Sequence, residues 1–391
     1  MTEEIFRRDG YMSEFESRVV AKDGDLIELE STAFYPGGGG QVCDTGTIRG
    51  EAVTEVVRRG GSILHLVPGN TLNVGDAVWC GVDWDRRYDL MQGHTGEHLL
   101  FASLKRQVPD LGIVKIHISP EDKHVVVDRD IGWEEVLEAV AFANRAIREN
   151  LPVTRSLMDR DDPGIADVRV RLDRVDDEYI SVVSIGDIDL SACSGIHVME
   201  TSELEFLLVD RKASAGRDGT AIHFKVGDAA KDAALGLAGT CLLAAAAVGS
   251  DPDLLAAAVA NMERRLASDA EAIRAMSRRE LMALEPETVG DLDICSGVFH
   301  ADRRTLTEAA ERCKAGGGTA LLVSSYDGVF AIVASADPRI ICNELLPEVL
   351  KAFGGKGGGR PDFAQGGIDD PSQAGALLES LRDAVISAYK P

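Results

Sequence analysis

Apolar and polar residues alternate in short runs over the first 86 positions. Leu26-Ile27-Glu28-Leu29, Ala52-Val53-Thr54-Glu55-Val56-Val57 and Ser62-Ile63-Leu64-His65-Leu66-Val67 are separated by Gly and Asp turns. Strands at that spacing predict a small β-barrel or open sandwich. A glycine-rich loop, Phe34-Tyr35-Pro36-Gly37-Gly38-Gly39-Gly40-Gln41, interrupts it. From 86 to 106 the pattern becomes helical, with Leu90, Leu99, Leu100 and Leu104 as apolar contacts. A strand segment around 115–127, a helix over Trp133–Glu149, and loops and strands over 159–209 follow. Residues 87–212 thus read as one α+β domain.

Residues 213–289 read as a helical connection. A first helix is expected over 231–248, ended by Gly249-Ser250-Asp251-Pro252, which offers capping chemistry and a proline at the next helix start. The second helix is expected over 252–284. Its Leu255, Val259, Met262, Leu266, Ile273 and Met276 follow three- and four-residue steps, spoiled once by Asp269, the spacing of a coiled-coil seam. An ordinary packed helix pair and a homodimer seam both satisfy that pattern. Residues 290–391 alternate strands at 292–298, 320–324 and 329–334 with helices at 303–314, 340–353 and 372–389. A second glycine-rich loop occupies 354–360. The expected architecture is therefore an α+β multidomain protein: a β-barrel (1–86), an α+β metal-binding domain (87–212), a helical linker (213–289) and a C-terminal α/β unit (290–391).

Composition narrows the setting. The 65 acidic residues outnumber the 41 basic ones for a net charge of −24. That balance argues against non-specific binding to phosphate backbones, and confines any nucleic-acid contact to a local basic patch. The seven cysteines are scattered and odd in number, poor material for a disulfide framework. The start Met1-Thr2-Glu3-Glu4 is acidic rather than signal-like, and no apolar run is expected to reach bilayer length. The expectation is a cytoplasmic protein without a membrane partner.

The chemistry concentrates at four residues. His94 and His98 are four apart in a helical segment, so both imidazoles leave one face. Cys193 and His197 repeat the spacing in Ala192-Cys193-Ser194-Gly195-Ile196-His197. Two imidazoles from one element with a thiolate and an imidazole from another suit tetrahedral zinc. His94-Thr95-Gly96-Glu97-His98 also reads as H-x-x-E-H, an inverted zinc-peptidase motif with Glu97 as general base. That chemistry wants a distant carboxylate ligand instead of a cysteine, and leaves the first glycine-rich loop without a purpose. Glu97 is a candidate proton-transfer group under either reading.

Phe34-Tyr35-Pro36 with Gly38-Gly39-Gly40-Gln41 and Asp44-Thr45-Gly46, then His94-x-x-x-His98, then Cys193-x-x-x-His197, occur in that order. Together they resemble the editing domain of alanyl-tRNA synthetase and its free-standing AlaX-type relatives. Residues 354–367 are similar to the DHHA1 domain that ends alanyl-tRNA synthetases and DHH-type phosphoesterases, although no Asp-His-His motif is present. Because the barrel starts almost at Met1, the resemblance implies the long free-standing form, without an aminoacylation domain.

The resemblance further implies a zinc-dependent, ATP-independent trans-editing hydrolase acting on alanine tRNA charged with serine, or with glycine. Zinc would be held by His94, His98, Cys193 and His197, as a closed four-ligand site or with one position open. Gln41 and Glu97 would serve the chemistry, and Gly38, Gly39 and Gly40 would approach the substrate. Thr32 would pair with a serine hydroxyl, or is simply a strand threonine. Lys351, Lys356 and Arg360 would bind tRNA, or flank a nucleotide-binding or plain structural loop. A non-catalytic, zinc-stabilised tRNA-binding protein is the alternative. The chain departs from the family pattern at Gly37, Ser194, Ile196, Ala221 and His223, where the family more often has a polar residue, Gly, Thr, Arg and Glu.

Overall fold

The computed structural model describes residues 2–170, 178–326 and 328–389. Positions 171–177, part of the segment read as loops and strands, lie outside the described residues. The chain forms two compact units, Met1–Leu243 and Ala244–Pro391.

In the first unit, seven strands make one nearly closed, barrel-like sheet. Their spatial order is Glu51–Val53, Gly46–Ile48, Ala77–Val82, Glu14–Asp23, Leu26–Leu29, Ser62–Leu66 and Glu55–Arg59. The long strand Glu14–Asp23 closes the turn of the sheet, pairing through its first half with Ala77–Val82 and through its second with Leu26–Leu29. Alternate residues point inward, so that Ile27, Leu29, Ile48 and Ile63 are fully buried.

Helix α1 (Trp84–Gln107) leaves the barrel from Asp83, whose carboxylate caps the Arg86 N–H. Helix α2 (Trp133–Glu149) packs beside it through Val136, Ala139, Val140 and Ala143. Both helices lie on a four-stranded antiparallel sheet ordered Ile113–Ile118, Lys123–Val127, Thr220–Val226, Leu207–Ser214. A separate three-stranded sheet, Val153–Asp159, Tyr179–Ile185 and Asp189–Ala192, delivers the loop carrying Cys193.

Two boundaries differ from the sequence expectation. A single apolar cluster runs from Ile5 through Ile48 and Leu99 to Phe224 and Val226, so barrel and α+β region share one core across position 86. The strand Thr220–Val226, assigned above to the helical connection, completes the four-stranded sheet by pairing with Lys123–Val127 almost a hundred residues away.

Helix α3 (Gly227–Val248) follows directly. It also corrects the expectation about apolar runs. Mostly exposed, it is long and apolar enough to cross a membrane by length and composition alone. After a turn of 3₁₀ helix at Pro252–Leu254 comes α4 (Leu255–Met282), in which Ser277 and Leu281 are the buried residues. Of the seam read from the sequence, Leu255 is half-buried, while Val259, Met262, Leu266, Ile273 and Met276 are exposed.

The second unit is built on a six-stranded mixed sheet ordered Glu287–Val289, Leu292–Phe299, Thr319–Ser324, Val329–Ser335, Phe363–Ile368, Lys356–Arg360. Period-two alternation divides its faces. Ala320 and Leu322 pack with α5 (Arg303–Ala315), while Leu321 and Val323 pack with α6 (Cys342–Ala352) and α7 (Ala374–Tyr389). The second glycine-rich segment is not a loop. Lys356–Arg360 is an edge strand paired in register with Phe363–Ile368, whose backbone supplies the order that glycine side chains cannot.

Candidate metal and hydrolytic site

Every residue of α1 from Leu90 to Phe101 is buried, although five of them are polar. Burying polar groups is costly unless each finds a partner, so this stretch must face a built polar centre. Gly96 lets the helix sink onto the sheet, since a Cβ there would lie 2.7 Å from Val226 Cγ1. Gly195 has a sharper role: its Cβ would lie 2.1 Å from His94 Cε1, so only glycine lets the Cys193–His197 loop cross that ring.

The ligand atoms of His94, His98, Cys193 and His197 all lie within 4.8 Å of one another. Cys193 Sγ is 3.4 Å from His94 Nε2 and 3.3 Å from His197 Nε2. Zinc–sulfur and zinc–nitrogen bonds of ordinary length at a tetrahedral angle would put those atoms about 3.5 Å apart. Each ring's other nitrogen is occupied. His94 Nδ1 donates to Gln41 Oε1 at 2.7 Å, His98 Nδ1 to Asp189 Oδ2 at 2.8 Å, and His197 Nδ1 to Thr95 Oγ1 at 3.1 Å. These bonds fix the tautomer that presents three Nε2 lone pairs to one point.

Electrostatics agree with the geometry. Burial raises the Cys193 thiol, but the His94 and His197 imidazoles outweigh it and hold the group well below its ordinary value. Burial likewise opposes ionisation of Asp189, yet the bonds to His98 and Ser191 and the charge of Arg169 bring its pKa down to about 2. Glu97 is fully buried with neither oxygen partnered, and its Oε2 lies 3.9 Å from His98 Nε2. An isolated buried carboxylate is expensive, and a cation at the convergence of the Nε2 atoms would compensate it. The donor set and the orphaned carboxylate thus fit a zinc-like ion.

The Gly38–Gln41 turn sits against this cluster. Gly38 and Gln41 exchange backbone hydrogen bonds of 3.0 Å, which commits two amides to the turn and leaves Gly39 and Gly40 at its exposed tip. Gly40 has φ +93° and would bring a Cβ within 2.6 Å of Ile116 O, so the position requires glycine twice over. Gln41 is buried, and its Nε2 has no partner while Oε1 holds His94. The turn is anchored to α1 through Asp44, which accepts from Tyr35 N and from buried Arg87, itself bonded to Ala33 O and Gly10 O. Cavities flank the centre. One of about 550 Å³ is lined by Gly39, Gly40, Phe101, Lys105, Ile116 and Arg169. A smaller one of about 160 Å³ reaches Gly195 and His197 beside Arg7, Arg8 and Arg155.

Thr32 lies in the short strand Ser31–Thr32. It is fully buried; its Oγ1 lies 2.9 Å from His65 Nε2 and accepts from Phe34 N at 3.1 Å. His65 Nδ1 donates to Ile27 O, so Nε2 accepts the threonine proton, and the hydroxyl is fully engaged inside the barrel. Among the described residues, Asp189, the carboxylate hydrogen-bonded to a cluster histidine, lies on the Nδ1 side of His98 and not beside the Nε2 atoms. In the second unit, Lys356 shares a cavity of about 520 Å³ with Arg303, Gln365 and Gly366, whereas Lys351 and Arg360 are exposed but outside it.

Sequence reasoning missed Asp189, Arg169, Thr95, Arg87 and His65. A signal for the first existed, because Asp189, Ser191 and Cys193 alternate along one strand and its exit, and so share a face.

Residues 5–86 match the family described as tRNA synthetases class II (A), and residues 294–387 match the DHHA1 domain. The alanyl-tRNA editing protein AlaX-M of Saccharolobus solfataricus is 35% identical over 239 residues, covering 58% of this chain and 99% of that protein. AlaX-L of Pyrococcus horikoshii is 28% identical and covers 98% of this chain and 99% of its own length. The alanine–tRNA ligase of Methanoregula boonei is 28% identical across this whole chain, which spans only 44% of that enzyme.

Proposed function

This chain belongs to the AlaX family of alanyl-tRNA editing proteins, and from that premise we propose that it deacylates alanine tRNA mischarged with serine or glycine, using zinc held by His94, His98, Cys193 and His197. The observation that carries the reading is the pairing of the Nε2/Sγ cluster with two unpartnered buried groups beside it, Gln41 Nε2 and the Glu97 carboxylate.

Bound there, zinc would supply positive charge that favours the negative charge developing on the reacting ester. The remaining steps belong to the protein. Gln41 Nε2 donates to the ester carbonyl oxygen as it gains negative charge. Glu97 takes a proton from the attacking water, whose oxygen forms the new bond to the carbonyl carbon. As the bond to the terminal ribose oxygen breaks, Glu97 returns that proton to the ribose, releasing amino acid and free tRNA. Gly39 and Gly40 let the acceptor end approach the backbone closely, with Lys105 and Arg169 in the same cavity to meet phosphate. Lys356 with Arg303, and Lys351 and Arg360 nearby in sequence, extend phosphate contacts to the second unit. Thr32 acts through the Phe34 amide on the loop and not on the substrate side chain. A second copy of the chain would cover the exposed Val259–Met276 seam.

Editing of this kind is needed because a pocket built for alanine cannot strongly exclude a substrate that is smaller or adds one hydroxyl. The test is hydrolysis of Ser-, Gly- and Ala-charged tRNA(Ala) by the zinc-loaded protein. Release of serine or glycine with Ala-tRNA spared supports the reading. Binding of all three without hydrolysis would establish the non-catalytic alternative instead.

A further inference from the structure

A second cluster of ligand-type side chains lies on the four-stranded sheet, apart from the hydrolytic centre. His117, His124 and His223 are direct cross-strand neighbours, His117 opposite His124 and His124 opposite His223. Their rings form a row with centroid separations of 5.2 and 4.8 Å. Flanking residues Val125, Ile222 and Phe224 are buried, so alternation turns the histidines to the opposite, open face. Asp122, in the turn before His124, reaches the middle ring and one outer ring of the row: Oδ2 is 2.7 Å from His124 Nδ1 and Oδ1 is 2.8 Å from His223 Nδ1. The side chains of His124 and His223 are only 18% and 12% exposed.

The geometry points to a second divalent-metal site formed by Asp122, His124 and His223, taking a zinc-class transition ion. Its three ligand atoms lie within 4.8 Å of one another. Two imidazoles and one carboxylate suit such ions, and three protein ligands leave coordination positions to water. Both rings already aim the same nitrogen, Nδ1, at the carboxylate. A shift of each neutral ring to its Nε2–H tautomer would turn both Nδ1 atoms into lone pairs facing the same carboxylate. Sheet register holds the two histidines in place, so little ordering is required on binding. The groups facing the site include one opponent, exposed Arg211, whose Nη2 lies 3.1 Å from His223 Nδ1.

Occupancy would cross-link the Lys123–Val127 hairpin strand to Thr220–Val226. That hairpin also carries Ile118, whose N–H donates to Gly40 O at 2.8 Å, so the ion would stiffen the sheet supporting the first glycine-rich turn. The inference does not depend on hydrolysis by the His94 centre.

Cobalt(II) titration of the metal-stripped protein separates the two sites. The Cys193 centre should fill with a thiolate-to-cobalt charge-transfer band, and a second equivalent should add ligand-field absorption without that band. Asp122→Asn and His223→Gln should each abolish the second equivalent and keep the first. Arg211→Ala should tighten it, a response that a mere hydrogen-bonded cluster would not give. The wild-type protein should also gain thermal stability on filling the second site, as any ligand specific to the native state confers, and the two ligand variants should lose that gain. Saturation at the thiolate-containing equivalent alone, in protein of native circular dichroism, overturns the proposal. So does a second equivalent that survives both substitutions.

Discussion

Asp189→Asn isolates what a carboxylate behind a ligand contributes. Asp189 Oδ2 accepts from His98 Nδ1 at 2.8 Å, from Ser191 Oγ at 2.6 Å and from Arg169 Nη2 at 3.2 Å. Asparagine keeps the volume and can still offer one oxygen to His98. It loses the charge that makes the imidazole a stronger donor to a cation, and it leaves Arg169 without its counter-charge. Removing an outer partner of this kind typically weakens metal binding about 10–100-fold, or about 1.4–2.8 kcal/mol. Zinc affinity would be measured by competition with a chelator of known strength, at one pH, with circular dichroism to establish that the fold is intact. Ser191→Ala, which removes one neutral donor and keeps the carboxylate, should weaken binding less. If Asp189→Asn binds zinc as tightly as the wild type, the orienting bond contributes nothing and the ligand geometry argued here is wrong.

Three further outcomes follow from the same contacts. Gly195→Ala should displace His94 and lower zinc content while the circular dichroism spectrum stays native; normal zinc content would show that the loop moves aside without cost. Thr32→Val strands His65 Nε2 and the Phe34 amide inside the barrel, costing about 1–3 kcal/mol of denaturant-measured stability, and should reduce Ser- and Gly-tRNA hydrolysis by the same factor; selective loss on Ser-tRNA would return Thr32 to the substrate pocket. Burial lowers the His65 pKa to about 4, only partly offset by its bond to Ile27 O and by Glu28. The unfolded chain therefore binds the proton more tightly, and this group's contribution is complete above pH ~6.5 and is lost as pH falls towards 4, by up to about 3 kcal/mol. Stability measured from pH 7 to 4 should fall less steeply in His65→Gln than in wild type; coincident slopes would show that His65 charges freely in the native state.

Local pattern determined what the sequence made legible. Trp133–Glu149 was read to the residue because Val136, Ala139, Val140 and Ala143 form one stripe on an otherwise polar helix. The candidate ligand pairs His94/His98 and Cys193/His197 are legible as pairs because each lies within one helical turn or loop. Their orienting partners were not. Gln41 was foreseen beside the centre only by resemblance, and Asp189 and Thr95 meet their histidines across 91 and 102 positions of chain. Lys356–Arg360 misled because glycine carries no strand preference of its own; pairing with Phe363–Ile368 decides its state. Thr220–Val226 carries strand-forming residues of its own, but its place in the sheet is set by Lys123–Val127 far upstream. Helix α3 begins at Gly227 and not at 231, its start set where the strand Thr220–Val226 ends and Gly227 N bonds Phe206 O.

On the proposed reading, the His94, His98, Cys193 and His197 centre performs metal-dependent deacylation. The most direct measurement is single-turnover hydrolysis of Ser-tRNA(Ala) by one preparation in three states: zinc-loaded, stripped of metal, and reloaded with zinc. The stripped protein should keep its native circular dichroism and lose serine release, and zinc should restore it in wild type but not in His98→Ala. Undiminished hydrolysis by the stripped protein, or restoration by zinc in His98→Ala, would contradict the claim.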